Sequence, residues 1–354
     1  MLPHRYLGNS GLQVSVLSYG NWLTSDDPEE EKVSIECIKA AHKGGVTFFD
    51  TAETYGFGRG EVVMGKALKE LEADRRDIVL STKLWRSKKD GVNNSMLSRK
   101  HLVEGMKNSL EKLDQEYVDI VFAHRPDYHT PLEETCRAFD YLIEEGYAFY
   151  WATSEWTPDR IAKAMEVCER LDLHKPIADQ CQYSMVRRDN AEENLRPLYN
   201  SYKYGITSWS PLCGGLLSGK YNDLETPSGS RYADNPMGKN LWARYMKSFD
   251  PDTLKTKLKS LEELAGELGC TQAQLCVAWS VANKDITTTI FGASKVSQVE
   301  DNLASMEVVK KWTPEIEEKI EKILDNTPTA AYDYKVWAPK KPRRSLRIDY
   351  DLGK

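Results

Sequence analysis

The sequence lacks the features of a secreted or membrane-spanning protein. Its 354 residues include seven cysteines but no CxxC pair, and most of these cysteines lie in periodic apolar segments, as buried free thiols do. It has no run of about 18 apolar residues and no charged, then apolar N-terminal leader. We therefore expect no disulfide, no membrane span and no secretory signal, and a soluble protein of the cytoplasm.

Charge and histidine content argue against two further classes. The 48 basic and 54 acidic residues give a formal net charge of −6, whereas a nucleic-acid-binding protein normally presents a basic face. The six histidines form no HxH pair, and only His124 closes a predicted strand. Hydrolytic metal sites need several ligands converging at strand ends. We expect no nucleic-acid partner and no metal.

Two glycine-rich stretches resemble nucleotide-binding motifs, but each fails at a required position. Residues 56–61 depart from GxGxxG because Glu61 stands where the last glycine is needed. Residues 214–220 satisfy GxxxxGK, but Tyr221 cannot offer the magnesium-binding hydroxyl of a P-loop. Neither a Rossmann site nor a P-loop is predicted, and Lys220 stays a candidate for phosphate contact.

The chain does contain a repeated pattern, in which a short apolar run ends on a residue with a polar or ionisable side chain. Six such runs end at Asp50, Lys83, His124, Ser154, Gln180 and Ser210, in steps of 33, 41, 30, 26 and 30 residues. Each step is the length of one strand, one helix and two loops. Helical periodicity fills the intervals at 28–43, 60–71, 98–113, 131–145, 158–171 and 189–204.

This alternation predicts an α/β fold, a (β/α)8 TIM barrel with first and eighth strands at 16–20 and 286–291. A hairpin signal at 6–15 predicts a small N-terminal β-hairpin that plugs the barrel floor. We assign residues 1–326 to one barrel domain and 327–354, with seven basic and three acidic residues, to a basic C-terminal tail. The tail either wraps the surface or is disordered, or it docks on a neighbouring protomer or an anionic partner.

Four residues at the predicted strand ends form a candidate catalytic group. Reduction of a carbonyl by hydride needs a proton donor, and a phenol serves better when a cation stabilises its ionised form. Lys83 beside Tyr55 would do this, Asp50 would compensate the buried ammonium, and His124 would hold the carbonyl or relay a proton. Singly, each could be an ordinary capping, rim or paired residue, but together they indicate an enzyme.

Seven motifs resemble one enzyme family, the aldo-keto reductases, which are (β/α)8 enzymes that use NADPH without a Rossmann fold. They are residues 50–56 (DTAETYG), 81–83 (STK), 97–105 (LSRKHLVEG), 122–127 (FAHRPD), 148–156 (AFYWATSEW), 209–212 (WSPL) and 218–221 (SGKY). The similarity runs from about residue 4 to 325 and is closest to the branch containing the β subunits of voltage-gated potassium channels.

The resemblance implies a catalytic tetrad. Tyr55 is its general acid, Lys83 and Asp50 adjust the pKa of Tyr55, and His124 orients the substrate. Animal channel subunits have Asn at the position of His124, whereas plant-like members and ordinary reductases have His. Further residues are implied to bind NADPH: Trp22, Asp50, Ser154, Gln180, Trp209, Ser210, Pro211, Leu212, Cys213, Gly214, Lys220, Arg231, Gly292, Ser294, Lys295, Gln298, Asp301 and Asn302. Asp301 stands where the channel subunits have Glu.

Two functions follow from the resemblance. The first is NADPH-dependent reduction of small aldehydes or ketones to alcohols, with loops 85–96 and 227–242 lining the substrate pocket. Lys295 at a predicted helix N-terminus suits a 2′-phosphate, which favours NADPH over NADH. The alternative is an auxiliary β subunit, acting as a homotetramer at the cytoplasmic face of a potassium channel with NADP(H) as a redox signal.

Overall fold

The chain folds as a closed barrel of eight parallel strands with a hairpin at one end. The computed structural model describes residues 2–24, 27–87, 91–234 and 236–329. Strands β1 (His4–Tyr6) and β2 (Gln13–Ser15) form the antiparallel hairpin. The barrel strands are β3 (Leu17–Gly20), β4 (Phe48–Asp50), β5 (Val79–Leu84), β6 (Val118–Ala123), β7 (Ala148–Ser154), β8 (Ala178–Gln182), β9 (Gly205–Trp209) and β10 (Thr288–Phe291), and β10 pairs with both β9 and β3.

Helices follow the strands on the outside of the barrel. They are α1 (Pro28–Lys43), α2 (Arg59–Glu70), α3 (Arg99–Leu113), α4 (Leu132–Glu144), α5 (Pro158–Leu171), α6 (Arg196–Tyr202), α7 (Arg231–Asp234), α8 (Pro236–Met246), α9 (Pro251–Glu267), α10 (Gln272–Ala282), α11 (Val296–Val309) and α12 (Pro314–Leu324). The predicted (β/α)8 barrel with its N-terminal hairpin is confirmed.

Two segments differ from the sequence prediction. The single helix expected over 189–204 is divided into a π-helical turn (Asn190–Asn194) and α6. Pro197 explains the division, because it has no N–H to continue a helical ladder from the preceding turn. The loop expected over 227–242 contains α7 and the first half of α8.

The hairpin closes the barrel floor, as predicted. Leu7 and Val14 are fully buried and pack with barrel residues such as Phe48 and Ile120. Gly8 makes this approach feasible, because it has a φ of 58° and a side chain there would collide with the backbone oxygen of Ile177. The floor is therefore filled, and the opposite, C-terminal end of the barrel is left for a site.

The C-terminal region continues past the barrel through α11 and α12. Of the predicted basic tail, residues 330–354 lie outside the described residues. In the part of the chain that is described, no helix combines the length and the apolar character needed to cross a bilayer.

Candidate active site

The C-terminal strand ends bring the four predicted catalytic side chains together. Asp50 is the last residue of β4, Lys83 lies near the end of β5, and His124 directly follows β6. Tyr55 opens a short 3-10 turn that connects β4 to α2. The group is therefore assembled from three consecutive strand–helix units.

Lys83 is the centre of this group. Its ammonium donates hydrogen bonds to Oδ2 of Asp50 at 2.5 Å, to the backbone oxygen of Thr51 at 2.8 Å and to the hydroxyl oxygen of Tyr55 at 2.9 Å. Lys83 and Asp50 are 0% and 2% exposed. Oδ1 of Asp50 accepts from Ser81 Oγ at 2.6 Å. A buried ion pair is tolerated when its remaining donors and acceptors are satisfied, and these contacts meet that condition.

The turn after β4 fixes the position of Tyr55. Gly56 and Gly58 have φ values of 52° and 92°, and Phe57 joins them in the left-handed region at 54°. Burial raises the pKa of Tyr55 above its ordinary value, and the opposing effect of Lys83 is smaller. The phenol is therefore protonated at neutral pH, with its oxygen held beside the ammonium.

His124 lies edge-on to Tyr55, with the two ring centroids 5.9 Å apart. Its Nδ1 is 3.5 Å from Oγ1 of Thr54. Burial first, and then the charges of Lys83 and Arg125, hold the pKa of His124 well below its ordinary value. The imidazole is therefore neutral, with one nitrogen as donor and the other as acceptor. Within residues 2–24, 27–87, 91–234 and 236–329, no three His, Cys, Asp or Glu side chains are grouped to hold a metal ion.

Ser154 and Gln180 continue the site along the next two strands. Nε2 of Gln180 donates to Oδ1 of Asp50 at 3.2 Å, which links β8 to the lysine pair. Oγ of Ser154 donates to the backbone oxygen of Gln180 at 2.9 Å and accepts from Nη1 of Arg125 at 3.0 Å. Both predicted residues therefore lie beside the catalytic group.

Trp209 ends β9 and Trp22 follows β3, the two strands that pair with β10 on either side. Nε1 of Trp209 donates to Oε1 of Glu155 at 2.9 Å, and the same oxygen accepts from the backbone N–H of Gln182 at 2.6 Å. Glu155 has a φ of 56°, an uncommon conformation for this residue type, which turns its carboxylate towards β8 and β9. Trp22 follows β3 and is 46% exposed.

The segment after β9 makes a tight turn with several left-handed residues. Ser210 has a φ of 58°, and its Oγ accepts from the backbone N–H of Gly214 at 2.8 Å. The other predicted residues of this segment are distributed along it: Pro211 and Cys213 are buried, Leu212 is partly buried, and Lys220 is exposed. Arg231 begins α7, and its side chain lies outside the described part of the structure.

The segment after β10 leads into an uncapped helix N-terminus. Gly292, Ser294 and Lys295 are exposed, and no side-chain hydrogen bond caps α11 at Lys295. Oε1 of Gln298 instead accepts from the backbone N–H of Ser294 at 2.9 Å. Asn302 is buried one turn further on.

Asp301 has a structural partner that the sequence did not indicate. Its carboxylate accepts from Nε2 of Gln274 at 2.7 Å and from Oγ1 of Thr271 at 3.3 Å, at the N-terminus of α10. Thr271 and Gln274 also form the capping box of that helix. Part of the hydrogen-bonding capacity of Asp301 is therefore already used within the protein.

The two segments together fit an anionic dinucleotide. An uncapped helix N-terminus presents backbone N–H groups and a positive dipole end to an anion, and Lys295 adds a cation there. In the turn after β9, the backbone N–H groups of Cys213, Gly214 and Gly215 donate to Ser210 and Leu212 within the turn, so the exposed side chain of Lys220 is the group that this segment offers to a phosphate. The buried Oγ of Ser218, in the same turn, has no hydrogen-bond partner among the described residues.

Sequence reasoning missed five residues that support the site: Ser81, Glu155, Arg125, Glu53 and His101. Ser81 holds Asp50, Glu155 holds Trp209, and Arg125 contacts Ser154, as given above. Glu53 accepts from the backbone N–H of Trp85 and lies 3.0 Å from Nε2 of His101, so it ties the Tyr55 loop to the loop after β5. All five residues lie inside the seven motifs that resemble the family, so the sequence marks their positions. It does not show which residues they contact.

The barrel and this grouping of side chains define a class of oxidoreductase. The chain belongs to the aldo/keto reductase family, because the family model matches residues 16–325. The resemblance seen in the sequence is thus confirmed.

Three relatives in particular are similar over almost the whole chain. Two proteins named probable voltage-gated potassium channel subunit beta, from Oryza sativa subsp. japonica and Arabidopsis thaliana, are each 43% identical over 335 residues, which is 94% of this chain and all of the relative. A putative voltage-gated potassium channel subunit beta from Schizosaccharomyces pombe is 43% identical over 329 residues, 92% of this chain and 94% of the relative.

Proposed function

We propose that this protein reduces small aldehydes or ketones to alcohols with NADPH. The observation that supports this most directly is the position of Lys83, whose buried ammonium bridges Asp50 and the hydroxyl of Tyr55. A phenol held protonated beside a compensated cation is suited to give its proton to a carbonyl oxygen that is gaining negative charge.

The proposed roles follow from the contacts. NADPH, when bound, would supply the hydride. Tyr55 donates its proton to the carbonyl oxygen, and Lys83 stabilises the phenolate that results. The hydroxyl of Thr54 faces Nδ1 of His124 and would donate its proton to that nitrogen. The neutral imidazole then carries its own proton on Nε2, and this N–H would hold the carbonyl oxygen of the substrate. Asp50 compensates the charge of the buried Lys83 through their ion pair.

The cofactor is proposed to lie across the C-terminal end of the barrel. Ser154 and Gln180 would hold the nicotinamide carboxamide, and Trp22 and Trp209 would line its pocket. The pyrophosphate would lie at the turn after β9, with Pro211, Leu212, Lys220 and Arg231 around it. The uncapped α11 N-terminus with Lys295 would take the 2′-phosphate, which favours NADPH. For Asp301 we propose a smaller part in adenosine binding, because its carboxylate already holds α10.

Tyr55→Phe tests the proposed reductase. The variant should lower NADPH-dependent turnover of 4-nitrobenzaldehyde about a hundredfold or more, because the proton donor is lost. NADPH affinity, measured by fluorescence titration, should stay near that of the wild type. Tyr6→Phe, in the hairpin at the opposite end of the barrel, is the matched control. Wild-type turnover by Tyr55→Phe contradicts the assignment.

A second function is favoured by the names of the three relatives. We propose as the alternative an auxiliary subunit, a cytoplasmic homotetramer that binds a voltage-gated potassium channel and uses bound NADP(H) as a redox signal. Light scattering should then give four times the 40.4 kDa of one chain. Co-purification with the cytoplasmic domain of a rice potassium channel tests the partner, and a monomer that fails to co-purify contradicts this alternative.

A further inference from the structure

Arg125 places a second cation at the mouth of the candidate site. It directly follows His124 at the end of β6 and is partly buried. Its Nη1 donates to Oγ of Ser154 at 3.0 Å and to the backbone oxygen of His124 at 2.5 Å. After burial and Lys83, Arg125 is the third group that lowers the pKa of His124, which agrees with its closeness to the imidazole.

The carboxylates around Arg125 are satisfied by other donors. Asp50 is paired with Lys83. Glu155 accepts from a backbone N–H of β8 and from an indole N–H, and Asp127 accepts from three backbone N–H groups and a threonine hydroxyl. In the described ranges of the chain, no carboxylate forms an ion pair with Arg125, so its charge is not compensated by the protein.

The unused donors of Arg125 form a fork. Both hydrogen bonds described for it come from Nη1. Nε and Nη2 donate to no protein acceptor within the described part of the chain, and these two nitrogens lie on the same edge of the guanidinium. This edge pairs with the two oxygens of a carboxylate in parallel, charge-assisted hydrogen bonds.

We propose that Arg125 is an anion-recognising residue of the substrate pocket, and that the preferred carbonyl substrates carry a carboxylate. The inference rests on the proposed reductase function and adds a substrate class to it. His124 and Tyr55 engage the carbonyl oxygen, and the free edge of Arg125 binds the negatively charged end of the same molecule.

A matched pair of aldehydes tests this substrate class. 4-Carboxybenzaldehyde and methyl 4-formylbenzoate differ in charge but little in shape, so their kcat/KM ratio isolates recognition of the carboxylate. We expect the wild type to favour the acid and Arg125→Met to lower the ratio about tenfold or more. Arg125→Lys should give an intermediate ratio, because it keeps the charge and loses the fork. Arg137→Met, on the outer face of α4, controls for net charge and should leave the ratio unchanged.

A binding measurement separates failure of this inference from failure of the reductase proposal. Calorimetry of 4-(hydroxymethyl)benzoate with the NADP⁺-loaded protein should show binding that Arg125→Met abolishes and Arg137→Met keeps. If both aldehydes are reduced but the ratio is the same in Arg125→Met, the carboxylate subsite is wrong and the reductase stands. If neither aldehyde is reduced but the acid binds through Arg125, the subsite stands and the reductase is wrong. If neither aldehyde is reduced and the acid does not bind through Arg125, both the reductase and the carboxylate subsite are wrong.

Discussion

Replacing Lys83 with methionine should destabilise the protein strongly, because it leaves a buried carboxylate without its cation. Asp50 is 2% exposed, and the variant removes an ammonium that donates at 2.5 Å to its carboxylate and at 2.8 Å to the backbone oxygen of Thr51. Breaking a buried pair on one side costs about 3–5 kcal/mol. The hydrogen bonds that Asp50 keeps from Ser81 and Gln180 place the expected loss of unfolding free energy near the lower end, at about 3 kcal/mol.

A double-mutant cycle shows whether the cost comes from the uncompensated charge. Asp50→Asn removes that charge, so the double variant Asp50→Asn with Lys83→Met should be more stable than Lys83→Met by about 1–2 kcal/mol. Urea unfolding followed by circular dichroism measures all three variants. Lys69→Met, an exposed lysine of α2, is the control and should change the unfolding free energy by less than about 0.5 kcal/mol. A further loss of stability on adding Asp50→Asn contradicts this account of the pair.

Three further changes test other parts of the site. Lys295→Glu should weaken NADPH much more than NADH in a fluorescence titration, because it sets a negative charge beside the proposed 2′-phosphate position; equal losses for both cofactors contradict that role. His124→Asn should slow the hydride step in single-turnover kinetics and leave NADPH affinity little changed, and an unchanged step refutes the proposed orienting role. Glu53→Gln should loosen the loop after β5, seen as faster hydrogen exchange at Trp85, whereas unchanged exchange shows that the carboxylate is dispensable there.

The depressed pKa of His124 also predicts a pH dependence of stability. The folded protein keeps this imidazole neutral, while the unfolded chain takes up a proton as the pH falls through about 6.5. Stability rises with pH wherever the unfolded state binds more protons, so His124 lowers the unfolding free energy below pH about 6.5 by up to about 1.4 kcal/mol per pH unit. Urea unfolding between pH 7 and about 5.5 should show a shallower decline for His124→Asn. Parallel curves contradict a buried, neutral imidazole.

The strand ends could be predicted because each barrel strand is a short apolar run, and parallel strands place the residues that follow them at one end. Tyr55 lies in a loop that periodicity does not mark, and it was predicted from the need for a proton donor that a neighbouring cation can stabilise. The contacts between distant residues could not be predicted. The bond from Trp209 to Glu155 joins residues 54 apart, and it depends on the left-handed backbone of Glu155.

The sequence also does not show which partner a polar side chain takes when more than one lies within its reach. The resemblance implies that Asp301 contacts NADPH, and its contacts with Thr271 and Gln274 depend on how α10 packs beside α11. Arg125 lies in a quoted motif, but its direction towards Ser154 follows from the spacing of β6 and β7 in the barrel. Sequence specifies which side chains reach the barrel opening, and packing decides which of them pair.

Transfer of a labelled hydride is the sharpest test of the proposed reductase. NADPH carrying deuterium at the transferred position is mixed with wild-type protein and 4-nitrobenzaldehyde, and the alcohol is analysed by mass spectrometry. We expect one deuterium on the carbinol carbon of the wild-type product, and only a trace of alcohol with Tyr55→Phe at the same cofactor occupancy. Cofactor that binds without forming deuterated alcohol contradicts a reductase and favours the channel-subunit alternative.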